Sequence, residues 1–78
     1  MEKSYMEHYI KLERNDVYLV YVGWRTRARR LLVKVVDQEE MDHIGCEIVG
    51  GETTVKTLSV GTRLTINRIW FRAQNKQN

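Results

Sequence analysis

Residues 21–37 read YVGWRTRARRLLVKVVD, and the way this stretch is divided decides the fold. A run rich in aromatic and β-branched residues, DVYLVYV at 16–22, meets Gly23-Trp24 and then a long strand-like segment at 25–37. That is the composition of two strands around a tight turn. Glycine at the first loop position suits a two-residue type II′ hairpin, and such a loop fixes the register. Val22 should pair with Arg25, Val20 with Arg27 and Tyr18 with Arg29. Arg25, Arg27 and Arg29 then share one face, with Tyr18 and Trp24 nearby. The core side would carry Val17, Leu19 and Tyr21 opposite Thr26, Ala28 and Arg30. Beyond that point Leu31, Val33 and Val35 look inward and Lys34 outward, so the apolar parity switches near Arg30. A β-bulge or sharp bend is expected there.

On the C-terminal side, HIGCEIV (43–49) and ETTVKTLS (52–59) flank Gly50-Gly51. Two adjacent glycines supply the positive φ angles of a type I′ turn, which predicts a second hairpin with Ile44, Cys46 and Ile48 facing inward. A last strand at 62–72 should turn Leu64 and Ile66 to the core and Thr65 and Asn67 outward. Trp70 and Phe71 are adjacent, so one of them must lie at an edge or interface. Residues 73–78, AQNKQN, read as a polar, frayed tail. On the N-terminal side, residues 2–13 place Tyr5, Tyr9 and Leu12 on one helical stripe with Met6 and Ile10 beside it, which predicts a short amphipathic α-helix.

A chain of 78 residues makes one domain, 1–78, with 42% hydrophobic and 29% charged residues, the usage of a folded protein rather than a disordered tail. A helix followed by five short strands over 16–72 is too little for a sandwich. The expected fold is mainly β, a small five-stranded SH3-like or Sm-like barrel with a short N-terminal helix, and an oligonucleotide-binding fold is the nearest competitor. Closure into a barrel would remove exposed sheet edges. Cys46 is the single cysteine, so no intrachain disulfide can form and a reducing, cytoplasmic setting is expected. No run approaches the ~18 apolar residues of a membrane span, and MEKSYMEHYIKLER has no apolar signal region.

The stretch VVDQEEMDHIGCEIV, residues 35–49, resembles the first signature of Sm-like RNA-binding proteins, in which an aspartate closes the second strand and a Met-Asn pair opens the third. Asp37, Met41 and Asp42 stand at those places, Asp42 where the family has asparagine. The resemblance implies ring assembly and binding of uridine-rich RNA near Asp42.

Little in the chain points to catalysis. His43 and Cys46 are three apart on a strand and so point to opposite faces, which disfavours a metal site or an activated thiol. Glu39, Glu40 and Asp42 form an acidic loop without an evident cleft, and VGGET lacks the lysine of a phosphate loop. The expectation is a non-enzymatic binding module with no catalytic residues, metal or cofactor. The net charge of +3 favours acidic partners. Tyr18, Trp24, Arg25, Arg27, Arg29 and Arg30 would form a cationic, aromatic-bearing platform for single-stranded RNA or DNA, with guanidinium groups on phosphates and rings under bases. A basic surface extended through Lys34, Lys56, Arg63 and Arg68 would favour that reading. The alternatives are a protein-binding regulator or inhibitor, of the kind mobile elements or phages encode, that grips an acidic surface of a larger nucleoprotein machine, homo-oligomerisation through edge strands, and a solvated strand whose arginines only keep an edge soluble.

Overall fold

A computed structural model describes residues 10–23, 29–52 and 59–78. Its architecture is a single antiparallel sheet of four strands in the order β1-β2-β3-β4. The strands are β1 (Val17–Val22), β2 (Arg29–Gln38), β3 (His43–Gly51) and β4 (Arg63–Asn67), followed by 3₁₀ turns at Arg68–Trp70 and Ala73–Asn75. Residues 10–13 carry no helix, and the remainder of the expected helix, 2–9, lies outside the described residues.

The first hairpin differs from the expected one. Val22 pairs with Arg29, Tyr21 with Arg30, Val20 with Leu31 and Tyr18 with Val33, which leaves residues 23–28 between the strands instead of a two-residue turn at Gly23-Trp24. The register follows the hydrophobic pattern. A Gly23-Trp24 turn would have placed Val20 and Tyr18 against arginines, whereas the observed pairing puts two apolar pairs into the core. The phase of β1 is therefore reversed: Tyr18 and Val20 are buried, while Tyr21 is exposed and Val17 and Leu19 are half-buried on the other face. Pairing runs unbroken past Arg30 between β1 and β2, so the parity switch expected there does not occur. The irregularities lie between β2 and β3, where Val49 and Val36 fall outside the paired register. Bulges of this kind bend and twist a sheet over its own core.

The inward alternation of β3 is as expected, with Ile44, Cys46 and Ile48 all buried. Ile66 is buried, Leu64 packs against the core from a partly buried position, and Thr65 and Asn67 are exposed. Gly50-Gly51, however, is not a turn. Both glycines belong to β3, opposite Leu32 and Leu31, and β3 already has β2 on one side and β4 on the other. The strand expected at 52–59 lies largely outside the described residues. Gly51 has φ +94°, and a Cβ there would stand 2.5 Å from the Arg30 carbonyl oxygen and 2.8 Å from the Leu31 Cα. Close backbone approach, not a tight turn, is what this position requires of glycine.

The core gathers Leu12, Tyr18, Val20, Leu31, Val33, Val35, Ile44, Cys46, Ile48, Ile66 and Phe71. Tyr18 and Phe71 meet edge to face with ring centroids 5.4 Å apart, a favoured aromatic geometry. Phe71 reaches this position because β4 ends at Asn67 instead of running on to residue 72. The Asn67 side chain accepts from the Ile69 N–H at 3.0 Å and starts the 3₁₀ turn.

Residues 73–78 are docked rather than frayed. Lys76 forms a bridge with Tyr18, the Gln77 N–H donates to the Val17 carbonyl at 2.7 Å, and the Val17 N–H donates to the Asn78 side chain at 3.0 Å. The outer edge of β1 is thereby occupied by the same chain, which satisfies backbone groups that would otherwise recruit a foreign strand.

Among the described residues Arg68 is the buried charge, 4% exposed. Its Nε donates to the Met41 carbonyl at 2.8 Å, its Nη1 to the Ile10 carbonyl, and its backbone N–H to the Asp42 carbonyl at 3.0 Å. One side chain thus ties the β2–β3 loop and the segment before β1 to the end of β4.

Two stability predictions follow from this packing. Gly51→Ala meets backbone atoms as well as a positive φ and should cost roughly 2–3 kcal/mol or more in urea unfolding, whereas Gly61→Ala, at φ +95° with open space around its Cβ, should cost only about 1 kcal/mol. Equal losses would remove the steric argument. Arg68→Met keeps the volume but strips the donors from two carbonyls, and a loss on the order of 3 kcal/mol is expected, with faster amide exchange at 41–43. Unchanged exchange there would show that the guanidinium does not hold the loop.

Candidate functional site

In an antiparallel pair, residues directly opposite one another project their side chains to the same face. The outward face of β1 and β2 therefore carries Tyr21 beside Arg30, Leu19 beside Leu32 and Val17 beside Lys34. Tyr21 is 48% exposed, Arg30 is exposed, and the rest of this face is half-buried. The ladder continues across the sheet from Lys34 to Glu47 on β3 and from Glu47 to Arg63 on β4. The result is a strip with an aromatic and a guanidinium at one end, leucines in the middle and a row of alternating charge beyond them.

Arg30 is held by its backbone. Its N–H donates to Glu52 Oε1 at 2.9 Å, and the Glu52 N–H donates to its carbonyl at 2.7 Å. These bonds anchor the main chain while the exposed side chain projects from the outward face.

The residues expected to form the platform are dispersed. Tyr18 is 3% exposed and packs on Phe71, so its ring faces are taken up inside the core. Burial pushes its hydroxyl pKa up from the ordinary value, with Asp16 and Glu13 adding to the shift. Arg29 lies opposite Val22 on the inward parity and is half-buried. Arg29 and Arg30 therefore point to opposite faces, with Arg30 on the outward one, the reverse of the expected assignment. Trp24, Arg25 and Arg27 lie outside the described residues, as does Lys56. Of the residues expected to extend a basic surface, Lys34 and Arg63 share the outward face with Glu47 between them, and Arg68 is interior.

Tyr21 is the residue that sequence reasoning placed on the wrong face. The signal that could have found it is the match of Leu31, Val33 and Val35 to Val20 and Tyr18, which sets the phase of β1 once the turn is allowed to lengthen.

Cys46 and His43 are separated as expected: the thiol is buried at 1% exposure, and the imidazole is exposed, with Nδ1 2.8 Å from Glu40 Oε1. Burial pushes the Cys46 thiol up to about 12, far from the thiolate that nucleophilic chemistry needs. A shallow recess of about 200 Å³ between β2, β3 and β4 is lined by Asp37 and Glu39 on one wall and Arg63 and Thr65 on another. Among the described residues there is no cluster of three or more His, Cys, Asp or Glu placed to hold a metal, and no helix long and apolar enough to cross a membrane.

No protein-family model, curated protein or solved structure matches this chain.

The thiol supplies a pH prediction. A group whose folded pKa is raised contributes stability that is fully present below the unfolded value and lost as pH climbs through the folded value. For Cys46 that window runs from 9.0 to about 12. Stability should fall by about 1.4 kcal/mol for each pH step above 9, with Tyr18 adding to the slope above its own ordinary value of 10.0. Urea midpoints measured from pH 8 upward check this, and Cys46→Ala, less stable at neutral pH, should show a flatter alkaline decline. A variant with the same slope would assign the decline to other groups.

Proposed function

We propose that this chain is a small non-enzymatic β-barrel module that binds single-stranded nucleic acid through the outward face of β1 and β2. The observation that carries the reading is the exposed ring of Tyr21 directly opposite the exposed Arg30. A base stacked on such a ring gains roughly 1–3 kcal/mol whatever its identity, and a guanidinium beside it holds the phosphate through paired donors. Lys34 lies four residues along the same face, about 13 Å at strand rise, far enough to reach a further phosphate of an extended strand. Leu19 and Leu32 between them offer apolar contact to sugar and base. Trp24, Arg25 and Arg27 adjoin Arg30 in sequence and join the platform in this proposal.

Closure into a five-stranded SH3-like or Sm-like barrel is part of the same reading. It is supported by the irregularities between β2 and β3, which curl the sheet, and by residues 76–78 on the β1 edge. The fifth strand expected at 52–59 lies largely outside the described residues; the turn that leads into β4 is described, with the Thr62 N–H donating to the Ser59 carbonyl at 3.1 Å. A lone buried thiol fits a reducing, cytoplasmic setting.

Fluorescence anisotropy of labelled single-stranded RNA and DNA at low and moderate salt tests the proposal. Tyr21→Ala should weaken binding by about tenfold with little change in salt slope, and Arg30→Gln should lower the slope by about 0.7, one phosphate contact on a single strand. Binding that ignores both substitutions, or that shows no salt dependence, would refute the reading.

A further inference from the structure

A second surface lies at the other end of β2. The 3₁₀ turn Arg68–Trp70 directs Arg68 and the following Phe71 inward, which forces Ile69 and Trp70 out to 65% and 44% exposure. Arg68 then draws the β2–β3 loop alongside through its bonds to the carbonyls of Met41 and Asp42. Met41 on that loop is 62% exposed. Three large apolar side chains are thus displayed on two segments that a buried guanidinium ties together, a preorganised arrangement in which little entropy remains to be lost on binding. Tryptophan and methionine are enriched at interface centres, and exposed apolar groups held in this way mark interaction sites.

The surrounding charge says what would cover them. Asp37, Glu39, Glu40 and Asp42 are all exposed and run through the strand end and loop that carry Met41. Arg72 turns its guanidinium back onto the carbonyls of Ile69 and Phe71, and His43 Nδ1 lies 2.8 Å from Glu40 Oε1. Exposed carboxylates along the loop that carries Met41 repel phosphate, whether of nucleic acid or of an anionic lipid surface, and attract lysine and arginine. We propose that Met41, Ile69 and Trp70 form a docking site for a basic segment of a partner protein, with an apolar anchor of that segment seated beside Trp70 and its cations on Glu39 and Asp42. This site shares no residue with the Tyr21–Arg30 strip and stands or falls separately.

Selection of a random peptide library displayed on phage against the full chain tests the proposal. Retained peptides should carry lysines and arginines around an aromatic or leucine anchor. Their synthetic versions should shift the backbone resonances of 39–43 and 68–72, and bind at least about tenfold more weakly to the Ile69→Ser, Trp70→Ser double variant. Both side chains are exposed, so the variant should melt with the parent. Should it not, Glu39→Gln with Asp42→Asn, also exposed, takes its place and should weaken binding while steepening no unfolding curve. The proposal is overturned if no peptide is retained, if retained peptides are acidic or neutral, or if they bind the variants undiminished. It is overturned equally if single-stranded oligonucleotides shift the same resonances, or if sedimentation shows that the patch is filled by a second copy of the chain.

Discussion

The structure depends on a cation taken out of water. Removing a guanidinium from solvent costs several kcal/mol after relaxation, and it is tolerated only where fixed acceptors meet it. Arg68 finds such acceptors on segments far apart in sequence, Ile10 before β1 and Met41 in the β2–β3 loop. A hydrophobic residue at position 68 could fill the space but could not specify which loop carbonyls close over it. The 3₁₀ turn around Arg68 also ends β4 and sends Phe71 back under Tyr18, which brings residues 76–78 onto the β1 edge. The chain end of the sheet, the aromatic pair in the core and the cover of the first strand all follow from that one turn.

What the sequence showed and what it concealed divide along a physical line. The β3 alternation was legible because Ile44, Cys46 and Ile48 are separated by residues that tolerate a wetter face, so period two has only one phase. Strand β1 offered no such contrast. Val17 to Val22 is apolar or aromatic at every position, so its phase is set by its partner, and a plausible turn at Gly23-Trp24 supplied the wrong partner. Gly50-Gly51 misled in the same manner: glycine marks places where the backbone must come close as well as places where it must turn, and only the neighbouring strand distinguishes them. Arg68 was illegible because INRIWFR continues a strand pattern, and nothing local reveals that an arginine will be satisfied by carbonyls 27 and 58 positions away.

Of the arginine run, Arg29 and Arg30 lie at the start of β2, with Arg30 and not Arg29 on the outward face. Reversing the phase of β1 exchanges Tyr18 for Tyr21 and Arg29 for Arg30 on the outward face. The register moved by four positions, an even number, so the same parities still face one another; the faces exchange because β2 keeps one alternation through Arg29, Leu31, Val33 and Val35, which turns Tyr18 and Val20 inward with them. The composition of the strand carries the chemistry, and the register alone assigns it to solvent or core.

Strand β2 gives the molecule its polarity. It begins at Arg29-Arg30 and runs to Asp37, where the acidic loop takes over, a span of about 26 Å at strand rise. With a Debye length of about 8 Å at physiological ionic strength, the two ends do not screen or cancel one another. A net charge of +3 therefore understates both local fields. Between the two ends Lys34, Glu47 and Arg63 alternate in sign across the sheet. On the proposed reading, a nucleic acid and a basic protein segment would occupy opposite ends of one small sheet without competing for surface.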